Sequence, residues 1–212
     1  MTSTPATAPP VGKAPGKAEQ RPSEDFVARV LDLCQSKRVQ AELGSGLGRP
    51  VERCNALHRY LVPRLPERMH PDAKRAHYAI AALIAARPRA AREADAAAAA
   101  ETDGGEAAAD WWRPNLGASL AMAVNKKIIK PDSAEGDLHL MARQSSDAIH
   151  PRLPALTGQL LRQGVPVDWA VLLEDLTWWN RDRDRIATRW LETYFRVRTL
   201  QDRRANPNEE NE

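Results

Sequence analysis

VDWAVLLEDLTWWNRDRDRIATRWLETYFRV, Val167 to Val197, is the stretch that decides the fold, because it holds four of the chain's six tryptophans and its densest run of arginines. Asp168 offers a side-chain cap, and Trp169, Leu172, Leu173, Leu176 and Trp179 recur at helical spacing, which predicts a helix with one strongly apolar face. Asn180 is predicted to end that helix in the left-handed conformation. A second helix is predicted from Arg181, with Asp182 and Asp184 near its positive dipole end, so the pair forms a helical hairpin or kink. At about 100° per residue the second helix gathers Ile186, Trp190, Tyr194 and Val197 into one arc of about 80° and Arg181, Arg185, Arg189 and Arg196 into another. The apolar arc belongs in a core. The arginine arc is either a solvated face, neutralised by Asp182, Asp184 and Glu192 at three- or four-residue spacing, or a ridge whose guanidinium groups meet phosphate oxygens.

The rest of the chain reads as further helices around this one. Ser23 is predicted to cap a first helix with Glu24 and Asp25 in its first turn and Phe26, Val27, Val30, Leu31 and Cys34 on its apolar face. Gly44, Gly46 and Gly48 then break regular structure, and this loop lacks the lysine and preceding strand of a nucleotide loop. A helix is predicted from Pro50 to Leu61, with His58 as a core or boundary residue, and is ended by Pro63 and Pro66. Pro71 and Asp72 open an alanine-rich helix closed by Arg87 and Pro88. Asn115 caps a helix that runs into NKKIIK, where Lys126, Lys127 and Lys130 form either a solvated turn or a set of phosphate contacts. Pro131 and Asp132 open a helix whose far end presents Arg143, and Pro151 begins a leucine-rich helix ended by the Gly164 turn. Trp111 and Trp112 are interior anchors or an exposed stacking pair, the former being the commoner use of such residues.

Alanine is abundant, β-branched residues are scarce and no alternating stretch stands out, so the fold class is all-α: a compact helical bundle of two lobes. The expected organisation is a disordered tail over 1–22, an N-terminal lobe over 23–88, a mobile acidic insertion over 89–110, a C-terminal lobe over 111–200 and a flexible tail over 201–212. The net charge of the 212 residues is +3. Acidic groups are concentrated in 89–110 and at Glu209, Glu210 and Glu212, so the part expected to fold is more basic than the total, which points to a polyanionic partner. There is no signal-like segment and no apolar run of the ~20 residues a membrane span needs, so a cytoplasmic protein without membrane contact is expected. Cys34 and Cys54 then read as reduced, buried thiols.

His58, His70, His77, His139 and His150 make no metal-ligand pattern and no nucleophile signature, and no dinucleotide or phosphate-loop motif occurs. The reading is a protein without catalytic residues, metal or cofactor.

NLGASLA at Asn115 to Ala121, the leucine helix after Pro151 and above all VPVDWAVLLEDLTWWNRDRDR at Val165 to Arg185 resemble the CasB family, the small subunit of the type I-E CRISPR surveillance complex, Cascade. GLGRP at Gly46 to Pro50 is similar to the basic, glycine-containing motif of the family's N-terminal half. The resemblance covers roughly residues 23–198. It implies an all-helical, two-lobed, non-enzymatic subunit present as two copies beside the backbone and large subunits of the complex. There the family stabilises CRISPR RNA paired to target DNA and holds the displaced strand. By this resemblance Arg181, Arg143 and Arg49 match basic family positions, and Lys126, Lys127, Arg152 and Arg185 lie close to such positions, with Lys130 in the same turn as the other lysines. Gly44 and Ser45 stand where many members carry a basic pair. Two other classes stay open: a helical adaptor whose basic face docks an acidic protein, and a free-standing DNA-binding regulator, for which no base-reading second helix is evident.

Overall fold

The structure, a computed structural model, describes residues 21–102 and 114–205. Its helices are α1 (Pro22–Leu33), α2 (Lys37–Gly44), α3 (Asn55–Leu61), α4 (Pro71–Ala85), α5 (Arg89–Thr102), α6 (Leu116–Asn125), α7 (Pro131–Ala142), α8 (Ser146–Ile149), α9 (Leu153–Arg162) and α10 (Trp169–Ala205), and among the described residues there is no strand. Three of the starts are prolines, Pro22, Pro71 and Pro131, whose missing N–H falls where a helix has no acceptor for it. Asn115 caps α6 through its side-chain oxygen, 3.1 Å from the Ala118 nitrogen, and Asp168 caps α10 by accepting from the amides of Ala170 and Val171 at 3.0 Å each.

Helix α10 is the pillar. Its first half lies antiparallel to α4: the Trp169 ring is 6.0 Å from the guanidinium of Arg87 past the end of α4, and the Asn180 amide donates to Asp72 in the first turn of α4. Its second half runs parallel to α6, with Asn115 donating to Thr193 at one end and Arg198 donating to Asn125 at the other. Helix α7 returns antiparallel to α10: Pro131 lies beside Tyr194, and Gln144, just past the helix, lies beside Trp179. Trp169, Leu172, Leu173, Leu176 and Trp179 are all buried, as are Ile186, Trp190 and Tyr194, so both apolar arcs of α10 enter one core cluster. The spacing predicted this, because a helix buries whatever recurs with its own period.

The approach of α6 to α10 depends on Gly117. A Cβ there would run into the backbone carbonyl of Trp190, and both partners are main chain held in helices, so neither can give way. Gly117→Ala should destabilise the fold by about 1–3 kcal/mol, read as a lowered urea midpoint with an unchanged slope. An unchanged midpoint would mean that the two helices can separate without cost.

Several boundaries differ from the sequence expectation. The predicted cap Ser23 lies inside α1, buried, and its hydroxyl donates to Glu174 of α10, while Arg21 occupies the cap position. A tertiary acceptor has taken the hydroxyl that local capping would have used. The Pro50–Leu61 helix is divided: Val51–Arg53 is a 3-10 turn and α3 begins only at Asn55. The helix predicted to begin at Pro151 instead starts at Leu153, after a 3-10 turn over His150–Arg152. The break predicted at Asn180 falls at Asp182 (φ −123°, ψ 27°), and α10 is kinked rather than folded into a hairpin. Asn180 stays helical because both ends of its amide are used sideways: its oxygen accepts from the Ser146 amide at 2.8 Å and its nitrogen donates to Asp72 at 3.0 Å.

Of the stretch expected to be a mobile acidic insertion, residues 89–102 form helix α5, and of the expected flexible tail the residues as far as Ala205 are helical. Alanine-rich sequence needs only one anchor to stay helical, and Arg92 supplies it: its guanidinium, buried, donates to the carbonyls of Arg87 and Cys34. Residues 1–20, 103–113 and 206–212, with Trp111, Trp112 and the remaining parts of the expected tails and insertion, lie outside the described residues. No helix among the described residues is long and apolar enough to cross a membrane.

Candidate nucleic-acid interface

Trp179 builds one corner of the molecule. Its ring is fully buried, 4.8 Å from that of Trp190, and its Nε1 donates to the carbonyl of Gln144 at 2.9 Å. That bond and the Asn180–Ser146 bond tie the α7–α8 turn to α10, so Arg143, next to Gln144, and Arg181, next to Asn180, are held at the same corner. Both are exposed, and neither has a carboxylate partner among the described residues. The Arg181 guanidinium lies 5.5 Å from the centre of the Trp178 ring.

Below the kink, Asp175 is buried and accepts from the Trp190 Nε1 at 2.6 Å and from Arg189. The carboxylate joins the two halves of α10 and fixes their angle. Burial pushes its pKa up to about 6, against the opposing pull of Arg189 and the Trp190 bond.

The three lysines form a second neighbourhood. Lys126, Lys127 and Lys130 are exposed at the α6–α7 turn, where Lys127 takes a left-handed φ of 58° and Lys126 donates to the carbonyl of Gly164 at 2.8 Å. Helix α7 separates this turn from Arg143 by roughly 20 Å at 1.5 Å per residue, and its flank carries Asp132 and Asp137. The predicted cations therefore stand as two groups at the ends of α7, not as one unbroken line. The arginine arc divides too: Arg185 pairs with Asp182 at 3.3 Å, Arg196 with Glu192 at 3.4 Å, and Arg189 with Asp175, which leaves Arg181 without a carboxylate among the described residues. Arg152 pairs with Asp137 at 3.6 Å. Exposed pairs of this kind contribute little, about 0–1 kcal/mol, so a phosphate can replace the carboxylate of Asp182 or Asp137.

Arg49 is exposed on the GLGRP loop, which packs onto Pro154. With Gly48, Arg75, His150, Pro151 and Pro154 it lines a cavity of about 150 Å³ between α4 and the start of α9. Arg75 pairs with Asp147 across this junction, a contact between α4 and α8 with no signal in the sequence. His150 is buried there with neither ring nitrogen hydrogen-bonded, and burial, reinforced by Arg75, pushes its pKa down to about 4.

His150 and Asp175 act on stability in opposite senses. Between pH 6.5 and 4 the unfolded chain binds a proton at His150 that the folded chain refuses, so acidification costs stability; between pH 6 and 4 the folded chain binds one at Asp175 first, so acidification adds stability. Each contribution amounts to about 3 kcal/mol. Asp175→Asn should therefore lose stability on acidification through this window and His150→Leu should gain it, in urea melts at pH 7, 5.5 and 4.5. Parallel pH profiles for the two variants would refute both assignments.

His58 is half-buried, with Nδ1 2.9 Å from the Cys54 carbonyl and its ring edge-on to Tyr78, the core or boundary role expected of it. Cys34 and Cys54 are free and buried, and burial raises both thiol pKa values. No group of three or more His, Cys, Asp or Glu able to hold a metal is present among the described residues. Trp178, half exposed beside Arg181, is the feature the sequence reading passed over; its place off the apolar arc of Trp169, Leu172, Leu176 and Trp179 is the signal that could have found it.

The helices and these groups define an all-α scaffold with exposed cations fixed at its corners. The family model of CRISPR-associated protein Cse2 matches residues 39–195, and the chain belongs to that family, the CasB family that its motifs resemble. Among solved structures it is similar to a chain of a "CRISPR RNA-guided surveillance complex", with 35% identity and a TM-score of 0.71 over 86% of this chain and 96% of that one. A chain of a "CRISPR RNA-guided surveillance complex, pre-nicking" matches with 36% identity and a TM-score of 0.73 over 86% of this chain and 97% of that one. No curated protein sequence gives a significant match.

Proposed function

We propose that this chain is a non-catalytic small subunit of a type I-E CRISPR surveillance complex, working in the cytoplasm in antiviral defence beside the backbone and large subunits and a second copy of itself. In this reading it stabilises the opened strands, CRISPR RNA paired to target DNA and the displaced DNA strand, by contacts to their phosphates. Arg143 and Arg181 at the tryptophan corner and Lys127 and Lys130 at the α6–α7 turn are the leading contacts, supported by Lys126, Arg49, Arg152 and Arg185. The observation that carries this is the corner itself: two cations without carboxylate partners among the described residues, one fixed by Trp179 through Gln144 and the other beside Asn180. Family membership and the likeness to chains of surveillance complexes support the assembly.

A subunit that must accept any guide or target should touch phosphates and leave base edges unread, which scattered Arg and Lys on a rigid scaffold achieve. The exchange of DNA duplex for guide–target duplex is close to balanced, so modest contacts can tip it. Fluorescence anisotropy of the full chain with a random-sequence single-stranded DNA should give an affinity that falls with salt, with a log–log slope of about −3 for four to five phosphate contacts. No binding, with capture of an acidic protein instead, would favour the adaptor class; preference for one duplex sequence would favour a regulator.

A further inference from the structure

Trp178 is 48% exposed although its neighbour Trp179 is fully buried. It lies off the apolar arc of α10, so core packing does not account for it, and tryptophan is a residue type enriched at contact surfaces, where one side of the ring is packed and the other wet. Glu174, one turn before it, is engaged by the Ser23 hydroxyl and by Arg21. Arg181, one turn after it, lies 5.5 Å from the ring centre and has no carboxylate partner among the described residues. Just beyond, the kink opens a hollow of about 340 Å³ lined by Asn180 to Arg185. The acids of that hollow are already paired, Asp182 with Arg185 and Asp184 with Arg183, so Arg181 is its uncompensated charge.

We propose that this corner holds one unpaired nucleotide of a single strand, its base stacked on the Trp178 indole and its phosphate on Arg181, with the sugar over the hollow. The inference rests on the nucleic-acid reading above and adds to it that the strand meeting this corner is unpaired, since a base inside a duplex has no free face. Stacking on an indole suits any base, because every base has a π face, and so preserves the sequence tolerance that phosphate contacts provide. An acidic protein surface would also cover the indole and meet the guanidinium, but the nucleic-acid reading above already places a phosphate chain at this corner. A strand supplies both the flat ring and the anion.

The test compares a dodecamer of deoxythymidine with an abasic oligomer of the same length and charge, using full-length chain. Wild type should bind the base-bearing strand about 5- to 100-fold more tightly. Trp178→Ala should abolish that preference while leaving the salt slope unchanged, Trp178→Leu should do the same with apolar bulk retained, and Trp178→Phe should restore part of it. Melting temperatures should stay close to wild type, the residue being half exposed. Equal binding of the two strands by wild type overturns the stacking site, as does a preference that survives Trp178→Ala; either leaves the phosphate contacts standing. Loss of co-purifying subunits in Trp178→Ala with the strand preference intact overturns it in favour of a protein interface. Failure of both strands to bind overturns the nucleic-acid reading itself, and the stacking site with it.

Discussion

Replacing Arg143 and Arg181 together by glutamate should weaken binding of random single-stranded DNA by roughly 100-fold near 0.1 M salt, since each lost phosphate contact and its reversal amount to about tenfold. The slope against salt should flatten by about 1.4 units, 0.7 for each contact. Replacing Lys127 and Lys130 in the same way should have a similar effect from the other end of α7. The two pairs stand far enough apart that their effects should add, giving about 10⁴-fold for the fourfold variant. All four side chains are exposed and free of carboxylates among the described residues, so the melting temperature should hardly move. Anisotropy titrations at several salt concentrations measure both quantities. Wild-type binding by the fourfold variant would remove these residues from the interface.

Trp179→Ala should cost about 3–5 kcal/mol, the largest stability effect expected of a single side chain here. The indole is fully buried against Trp190, and its Nε1 bond to the Gln144 carbonyl is one of the two ties that hold the α7–α8 turn to α10. Deleting it leaves a cavity at the kink and an unpaired carbonyl beside Arg143. Trp179→Phe separates the two contributions: it keeps a ring in the core, loses the bond and should cost about 1–2 kcal/mol. Its nucleic-acid affinity should fall modestly at an unchanged salt slope, because the cations remain but Arg143 is less well placed in advance. Urea melts and titrations of both variants decide this. A loss below 1 kcal/mol for Trp179→Ala would show that the corner is not held by this ring.

The paired Arg185 and Arg152 show how a sequence pattern can be read correctly and still not name a site. Spacing places Asp182 within reach of Arg185, and that pair forms; the Asp137–Arg152 pair joins α7 to the turn before α9 and has no local trace. The same difference separates Ser23, whose cap-like position is overridden by Glu174, from Asn115 and Asp168, whose local caps form as predicted.

The all-helical class, the burial of both apolar arcs of α10, the helix starts at Pro71 and Pro131, the Asn115 and Asp168 caps and the family itself could all be read from residue order, because they depend on periodicity and on groups within four residues of one another. Which cations stay unpaired, that Arg143 and Arg181 share a corner while the lysines stand at the far end of α7 and that Arg92 anchors α5 were settled only when the helices packed. Each of these depends on a contact between residues distant along the chain, and no local spacing encodes which distant carboxylate, carbonyl or ring a side chain will meet.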